Sequence, residues 1–308
     1  MSSRGSLRDV VEVAGPWQHR QVAANGARFH VAESGDGPLV LLLHGFPEFW
    51  WAWRNQLPPL AAEGWRGAAM DLRGFGGSDK TPRGYDPTTL ASDVAAVVRS
   101  LGERSAVLVG HGWGAYVAWA TAVLRPATVA AVVSVSMPHP LVLRRAMVRD
   151  LRQTVAAGHM LGFQAPVLPE RRLVADGGAL VETLLRRWAA PGAAFPDPET
   201  AARYRAAMHL WPAPHCALEY HRWAVRSLVR ADGRRFAARM RRPVEQPVMQ
   251  VHGALDRTVL VRTAAGSAEF VAGPYRWTLL EGAGHFPHEE QPDRFTGVLL
   301  EWLAELPR

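Results

Sequence analysis

The chain has 308 residues, of which 48% are hydrophobic and 20% charged, and this composition excludes an intrinsically disordered protein. Its single cysteine, Cys216, excludes a disulfide framework and a cysteine-based zinc site, and no apolar run approaches the roughly 20 residues of a membrane span. The formal net charge of +7 arises from 35 basic residues, all of them arginines except Lys80, against 28 acidic residues.

Strand and helix patterns alternate in the first part of the chain. Residues 39–43 form a continuous apolar run typical of a buried parallel strand, and residues 67–72 predict a second strand. Apolar spacing of helical period predicts a helix over 88–101, and residues 105–109 predict a strand that runs into a glycine-flanked turn. This alternation predicts an α/β fold, with a mostly parallel sheet and helices on both faces.

The pattern changes in residues 138–242, which carry helical periods with proline and glycine interruptions. Strand and helix patterns return in residues 243–308, with predicted strands at 247–252 and 275–280. We therefore predict an α/β core in two parts, 1–137 and 243–308, separated by an all-helical lid at 138–242.

The turn after the strand at 105–109 has the form of a nucleophile elbow, in which small residues flank the nucleophile at a spacing of two. The small residues let the strand and the helix approach closely, and strained backbone angles direct the central side chain into the site. Here the flanking residues are Gly110 and Gly114, and the central residue is Gly112. Glycine has no side chain, so this position supplies no nucleophile.

Four motifs, in their order and spacing, give the chain a resemblance to the epoxide hydrolases of the α/β-hydrolase superfamily. They are HGFPE and WR within 44–54, DLRGFGGS at 71–78, the elbow at 110–114 and GHFPHEE at 284–290. The resemblance covers residues 39–302 and implies the α/β-hydrolase fold with an inserted helical lid. It also implies a small or medium-sized apolar substrate that binds between the core and the lid.

In that family the elbow reads G-H-D-W-G, and the aspartate opens an epoxide to give an ester with the enzyme. A histidine paired with an acid then activates the water that hydrolyses this ester. The resemblance places His285 at the position of this base and Asp256 at the position of its orienting acid, and these residue types suit that chemistry. It assigns the oxyanion hole to the backbone N–H groups of Phe46 and Trp113.

The family also has two lid tyrosines that donate hydrogen bonds to the epoxide oxygen. The matching positions here are His159, before the FQAP stretch at 163–166, and His221, in the YHR stretch at 220–222. We expect both histidines, together with Trp50, to face the substrate. Three of the five side chains that the family uses are therefore different in this chain, which points to an altered chemistry.

Three functions stay open. The first, which we favour, is an epoxide-hydrolase-like hydrolase in which His285, oriented by Asp256, activates water directly. The second is a catalytically inactive protein that binds a small molecule, and the third is an isomerase or lyase that uses His285 as a base. Gly112 either leaves space for a water molecule or relaxes the elbow, since glycine adopts positive φ freely.

The basic excess lies in the predicted lid, where residues 138–242 contain 18 arginines against 8 acidic residues. We favour an arginine-rich helical surface over a surface that attracts acidic substrates or an anionic membrane. No nucleic-acid-binding motif accompanies the charge, so we expect a small-molecule partner and no nucleic acid. The histidines lack H-E-x-x-H spacing, which predicts no metal site, and no other cofactor is implied. The first nine residues lack the apolar stretch of a secretory signal, so we expect a cytoplasmic protein.

Overall fold

The structure of the protein is a computed structural model that describes residues 7–307. Its strands are β1 (Gln18–Ala24), β2 (Ala27–Ser34), β3 (Leu39–Leu43), β4 (Arg66–Met70), β5 (Ala106–His111), β6 (Val129–Val135), β7 (Val248–Gly253) and β8 (Tyr275–Leu280). They form one eight-stranded sheet in the order β1-β2-β4-β3-β5-β6-β7-β8. β2 pairs antiparallel with β1 and β4, and the other neighbouring pairs are parallel, so the predicted α/β class is confirmed.

Helices connect these strands. Within residues 7–307 the α-helices are α1 (Leu7–Val11), α2 (Leu57–Ala62), α3 (Pro87–Ser100), α4 (Trp113–Leu124), α5 (Pro140–Arg149), α6 (Leu151–Ala156), α7 (His159–Gly162), α8 (Leu168–Val174), α9 (Ala179–Trp188), α10 (Pro198–Met208), α11 (Ala213–Arg226), α12 (Ala231–Arg239), α13 (Val261–Ala265), α14 (Pro287–Glu290) and α15 (Pro292–Ala304). The eight helices α5 to α12 lie between β6 and β7 in the chain. None of the helices in this described part of the chain is long and apolar enough to cross a membrane.

Local sequence signals explain where the helices beside the site begin. α3 follows Asp86, whose carboxylate accepts hydrogen bonds from the N–H groups of Thr88 and Thr89 and thereby caps the helix. α4 follows Gly112 directly and has no side-chain cap. The first N–H groups of α4 therefore have no acceptor within their own helix.

The central strands bury all of their residues, as parallel strands between layers of helices do. Leu42 and Leu108 are fully buried, and each such side chain contributes roughly 1.5–3 kcal/mol to the stability of the fold. β3 and β5 run parallel, with Leu43 beside Gly110. The turns that follow the parallel strands β3, β5, β7 and β8 therefore lie together at the carboxyl ends of these strands. This end of the sheet carries the candidate site.

Candidate active site

Gly112 lies at the sharp turn between β5 and α4, with φ 51° and ψ −118°. The flanking position has no room for a side chain, because a Cβ on Gly114 would lie 2.1 Å from the carbonyl oxygen of Leu43. A Cβ on Gly112, in contrast, would make ordinary contacts, 3.6 Å from Gly45 Cα and 3.8 Å from His285 Nε2. The turn thus keeps a positive φ, and its central position is directed at the ring of His285.

His285 and Asp256 form a hydrogen-bonded pair, with 2.8 Å between His285 Nδ1 and Asp256 Oδ2. The second carboxylate oxygen, Oδ1, accepts hydrogen bonds from the backbone N–H groups of Thr258 and Val259 at 2.7 and 3.0 Å. An ionised carboxylate only accepts hydrogen bonds, so Nδ1 carries a proton and Nε2 is left as a free acceptor. This acceptor lies on the side of Gly112.

The environment of Asp256 keeps its carboxylate ionised. Burial by itself raises the pKa of Asp256, but the adjacent His285 ring and the N–H group of Val259 outweigh it and hold the pKa at about 2. An ionised Asp256 fixes the tautomer of the ring and stabilises the positive charge that appears when Nε2 takes a proton. The pair therefore has the properties of a base oriented by an acid.

Thr258 also contacts this pair, and sequence reasoning missed it. Its hydroxyl oxygen lies 2.8 Å from His285 Nδ1 and 2.9 Å from Asp256 Oδ1. The hydroxyl donates a hydrogen bond to the carboxylate, and its oxygen shares the hydrogen bond that Nδ1–H donates to Asp256. Thr258 therefore helps to hold the His285 ring in place. The one signal for Thr258 in the sequence is its position two residues after the acid.

Phe46 and Trp113 both line the cavity that contains Gly112. Trp113 is the first residue of α4, and Phe46 lies in the turn after β3. Within residues 7–307, the backbone N–H group of neither residue donates a hydrogen bond to a protein acceptor. Both donors are therefore available to an oxygen atom of a bound molecule.

His221 lines the same cavity, but both of its ring nitrogens have protein partners. The indole N–H of Trp113 donates to Nε2 at 3.0 Å, so Nδ1 carries the proton and donates to the carbonyl of Ala217 at 3.1 Å. Burial lowers the pKa of His221 well below its ordinary value. The ring is thus a neutral acceptor, and it has no N–H group left to donate to a substrate.

His159, at the start of α7, also lines the cavity. Its ring packs on Trp188 with 4.7 Å between ring centroids. Burial lowers the pKa of His159 to about 4, so the ring is neutral and carries one N–H group. In the described residues 7–307 this ring makes no hydrogen bond, which leaves that N–H group free for a ligand.

Trp50 does not face the substrate, contrary to the prediction. Its indole N–H donates to the carbonyl of Val11 at 2.8 Å, and its backbone N–H donates to Asp71 Oδ1 at 2.7 Å. The ring packs edge-on against Trp17 and Trp51 and is fully buried. The segment before β1 covers Trp50, which does not line the cavity, and no local pattern signals this long-range contact.

The cavity beside Gly112 has about 500 Å³ of space between its wall atoms, a volume that includes open solvent at its mouth. Its apolar walls include Phe46, Met137, Leu143, Met160, Trp188 and Val259. Several of these come from α5, α7 and α9, which lie between β6 and β7 in the chain, and the others come from the turns at the sheet edge. The arrangement suits a small apolar molecule held between these helices and the sheet.

A second buried cluster, formed by Glu48, His111 and His288, lies behind the base. His111 Nδ1 lies 2.7 Å from Glu48 Oε2, and His111 Nε2 lies 2.9 Å from the carbonyl oxygen of His285. Both acceptors lack a hydrogen, so His111 donates from both nitrogens and is positively charged. Burial alone lowers the pKa of His111, but the Glu48 carboxylate outweighs it and raises the pKa.

The same three side chains bring potential metal-ligand atoms within 4.8 Å of one another, a grouping that the sequence spacing did not predict. Glu48 Oε2 and His111 Nδ1 are bonded to each other, so they are not free to bind a cation in this arrangement. The cluster is better described as a buried ion pair that holds the backbone of His285.

Comparisons with known proteins agree with this geometry. The family profile of the alpha/beta hydrolase fold matches residues 38–292. The AB hydrolase superfamily protein YfhM of Bacillus subtilis is 31% identical, over 92% of this chain and 96% of its own length. Epoxide hydrolase A of Mycobacterium tuberculosis is also 31% identical, over 93% of this chain and 97% of its own.

Solved structures lead to the same family. The structure of an epoxide hydrolase from an endophytic Streptomyces has a TM-score of 0.81 and 32% sequence identity, with coverage of 95% of this chain and 97% of that chain. The chain therefore belongs to the α/β-hydrolase family. Within that family it is an epoxide-hydrolase-like protein, which confirms the resemblance found in the sequence.

Proposed function

We propose that the chain is a hydrolase in which His285, oriented by Asp256, activates a water molecule for direct attack on an epoxide. The supporting observation is the 2.8 Å hydrogen bond between His285 and Asp256, together with the free Nε2 atom directed at Gly112. A nucleophilic side chain would stand between this base and the substrate. Gly112 leaves that space to a water molecule, which can donate one hydrogen to Nε2.

The proposed reaction is a single displacement. Nε2 takes a proton from the water, the water oxygen bonds to an epoxide carbon, and the bond from that carbon to the ring oxygen breaks. The ring oxygen then takes a proton from solvent and Nε2 returns its proton to solvent, so the product is a diol and His285 is again a free base. Placement of the water and the substrate in one cavity supplies much of the rate that a covalent route would otherwise provide.

Charge on the ring oxygen needs donors, and three are available in the proposed site. The backbone N–H groups of Phe46 and Trp113 are unpaired within the described residues, and the neutral His159 ring carries an N–H group beside the cavity. His221 is not among them because Trp113 and Ala217 already bond both of its nitrogens. Fixed donors of this kind stabilise developing negative charge without reorganisation.

Turnover of styrene oxide by the full chain, measured with and without His285→Ala, tests the proposal. We expect diol formation that falls by about 10²–10⁴-fold in this variant, the usual contribution of a general base. His209→Ala is the control, because His209 is an exposed histidine bonded only to backbone carbonyls of Arg205 and Val174. Equal turnover with and without His285 would overturn the proposal.

Two other outcomes would each support an alternative. Saturable ligand binding without any product would indicate a small-molecule-binding protein. Solvent deuterium in recovered substrate, without hydrolysis, would indicate an isomerase or lyase that uses His285 as its base.

A further inference from the structure

We infer that the part of the cavity into which a side chain at position 112 would project binds a carboxylate group. The ligand supplies this carboxylate group. The shape of the space is the first argument. The backbone of Gly112 directs a Cβ into the cavity, where it would lie 3.6 Å from Gly45 Cα and 3.8 Å from His285 Nε2, both ordinary van der Waals distances. Acetate has the same four heavy atoms as an aspartate side chain beyond its Cα atom. A small carboxylate can therefore occupy the space beyond Gly112, with its atoms at van der Waals distance from Gly112 Cα rather than at the Cβ position itself.

The electrostatics of the space favour an anion. α4, a helix of 12 residues, begins at Trp113 directly after Gly112 and has no side-chain cap. A helix N-terminus attracts negative charge. The N–H groups of Phe46 and Trp113 line the same cavity and have no protein acceptor within residues 7–307. Two backbone donors, one of them at the N-terminus of α4, are thus available to an anion bound in this cavity.

An independent observation is the side chain of His285. It is 7% exposed, and Nδ1 is occupied by Asp256 and Thr258, whereas Nε2 has no partner among the described residues. A carboxylic acid in the space beyond Gly112 could approach Nε2 and pass its proton to it, which leaves a carboxylate paired with the ring. None of the side chains that line the cavity is acidic, so an entering anion meets no like charge there.

The class of ligand follows from the surroundings. The cavity walls around this space are apolar, so the ligand is an apolar carboxylate with its carboxylate at the Gly112 end. This inference adds a ligand class to the proposed function. It rests on the proposed function only for the statement that catalysis takes place at the same site.

Acetate and phenylacetate are the probes. We expect both to raise the melting temperature of the chain saturably at constant ionic strength, with acetate binding in the roughly millimolar range expected of a four-atom ligand. Phenylacetate should bind at least tenfold more tightly than acetate, because its ring contacts the apolar walls. Because no substrate is turned over, this result is independent of whether the chain hydrolyses epoxides.

Variants at Gly112 locate the binding. Gly112→Asp places a carboxylate of the protein in the same space, so acetate affinity should fall at least tenfold, and the methyl group of Gly112→Ala should weaken binding without adding charge. Gly297→Asp is the matched control, because a Cβ on Gly297 meets nothing within 4 Å and the residue lies in α15. Absence of saturable binding to the wild-type chain, or equal affinity in the wild type and both Gly112 variants, would overturn the inference.

Discussion

The substitution Gly112→Asp returns a carboxylate to the centre of the elbow, and its effects can be worked out from the structure. The backbone at φ 51° and ψ −118° is strained for any residue with a Cβ, at a cost of about 1–3 kcal/mol. The nearest contacts of the new Cβ, at 3.6 and 3.8 Å, add no clash. A negative charge at the N-terminus of α4 recovers about 0.3–1 kcal/mol. We therefore expect a folded variant whose free energy of unfolding is lower by about 1–2 kcal/mol, as measured by urea denaturation.

The chemical consequence should be a covalent intermediate. The new carboxylate can attack an epoxide carbon to give an ester, and His285 is the base that would hydrolyse it. In the double variant Gly112→Asp/His285→Ala the ester should therefore accumulate, and intact-mass spectrometry should detect an increase equal to the mass of styrene oxide. Gly112→Ala/His285→Ala, which has a Cβ but no carboxylate, should show no adduct.

A folded double variant that forms no adduct would refute the claim that the rest of the site can support the covalent route. The positions of the family's two tyrosine donors, His159 and His221, then become the next test, because His221 has no N–H group for the epoxide oxygen. Adding His159→Tyr and His221→Tyr to the double variant supplies the hydroxyl donors that the resemblance implies. An adduct that forms only when both tyrosines are present would show that His159 and His221 prevent the covalent route.

Three further predictions concern the buried charges around the base. Asp256→Asn should lower turnover by roughly 10³–10⁴-fold, because an amide does not hold the reactive tautomer of His285; initial rates of diol formation measure this. Because Asp256 has a pKa of about 2, below its ordinary 3.8, the stability it contributes is present above pH 4 and is lost as the pH falls toward 2. Over that interval the wild type should lose about 2 kcal/mol more unfolding free energy than Asp256→Asn, and equal losses in acid urea titrations would contradict this. Glu48→Gln should destabilise the fold by about 3–5 kcal/mol in urea, because it leaves His111 charged and unpaired in the interior; a loss below 1 kcal/mol would contradict it.

The sequence predicted the parallel strands better than the antiparallel strands at the start of the chain. Residues 39–43 are a strand with the predicted bounds, because a parallel strand between helices appears as an apolar run. The edge strand β8 also has its predicted bounds, 275–280. β1 and β2 were not predicted. β1 is at the sheet edge and alternates exposed and buried positions, and its polar residues hide the strand pattern. Residues 51–62 have a helix-like sequence, but they divide between a 3-10 turn at Trp50–Trp53 and α2, since the prolines early in α2 favour a new helix start.

The candidate site was predictable only where motifs carry it. The elbow and the positions of His285 and Asp256 follow from short patterns at strand ends, and the sheet brings them together. The bond from Trp113 to His221 and the ion pair between Glu48 and His111 join residues far apart in the chain. No local sequence pattern shows whether Nδ1 or Nε2 of a histidine already has a hydrogen-bond partner in the protein. These hydrogen bonds decide whether His159 or His221 can donate a hydrogen bond to a substrate.

The central claim is that water attacks the substrate directly, without an ester to the protein. A single turnover of styrene oxide with enzyme in excess, in water fully enriched in ¹⁸O, tests it most directly. Direct attack at the space beside Gly112 predicts that the first diol formed carries one ¹⁸O atom, and that His285→Ala forms almost none. Unlabelled diol from the first turnover would show that a carboxylate of the protein had supplied the oxygen, and it would contradict the claim.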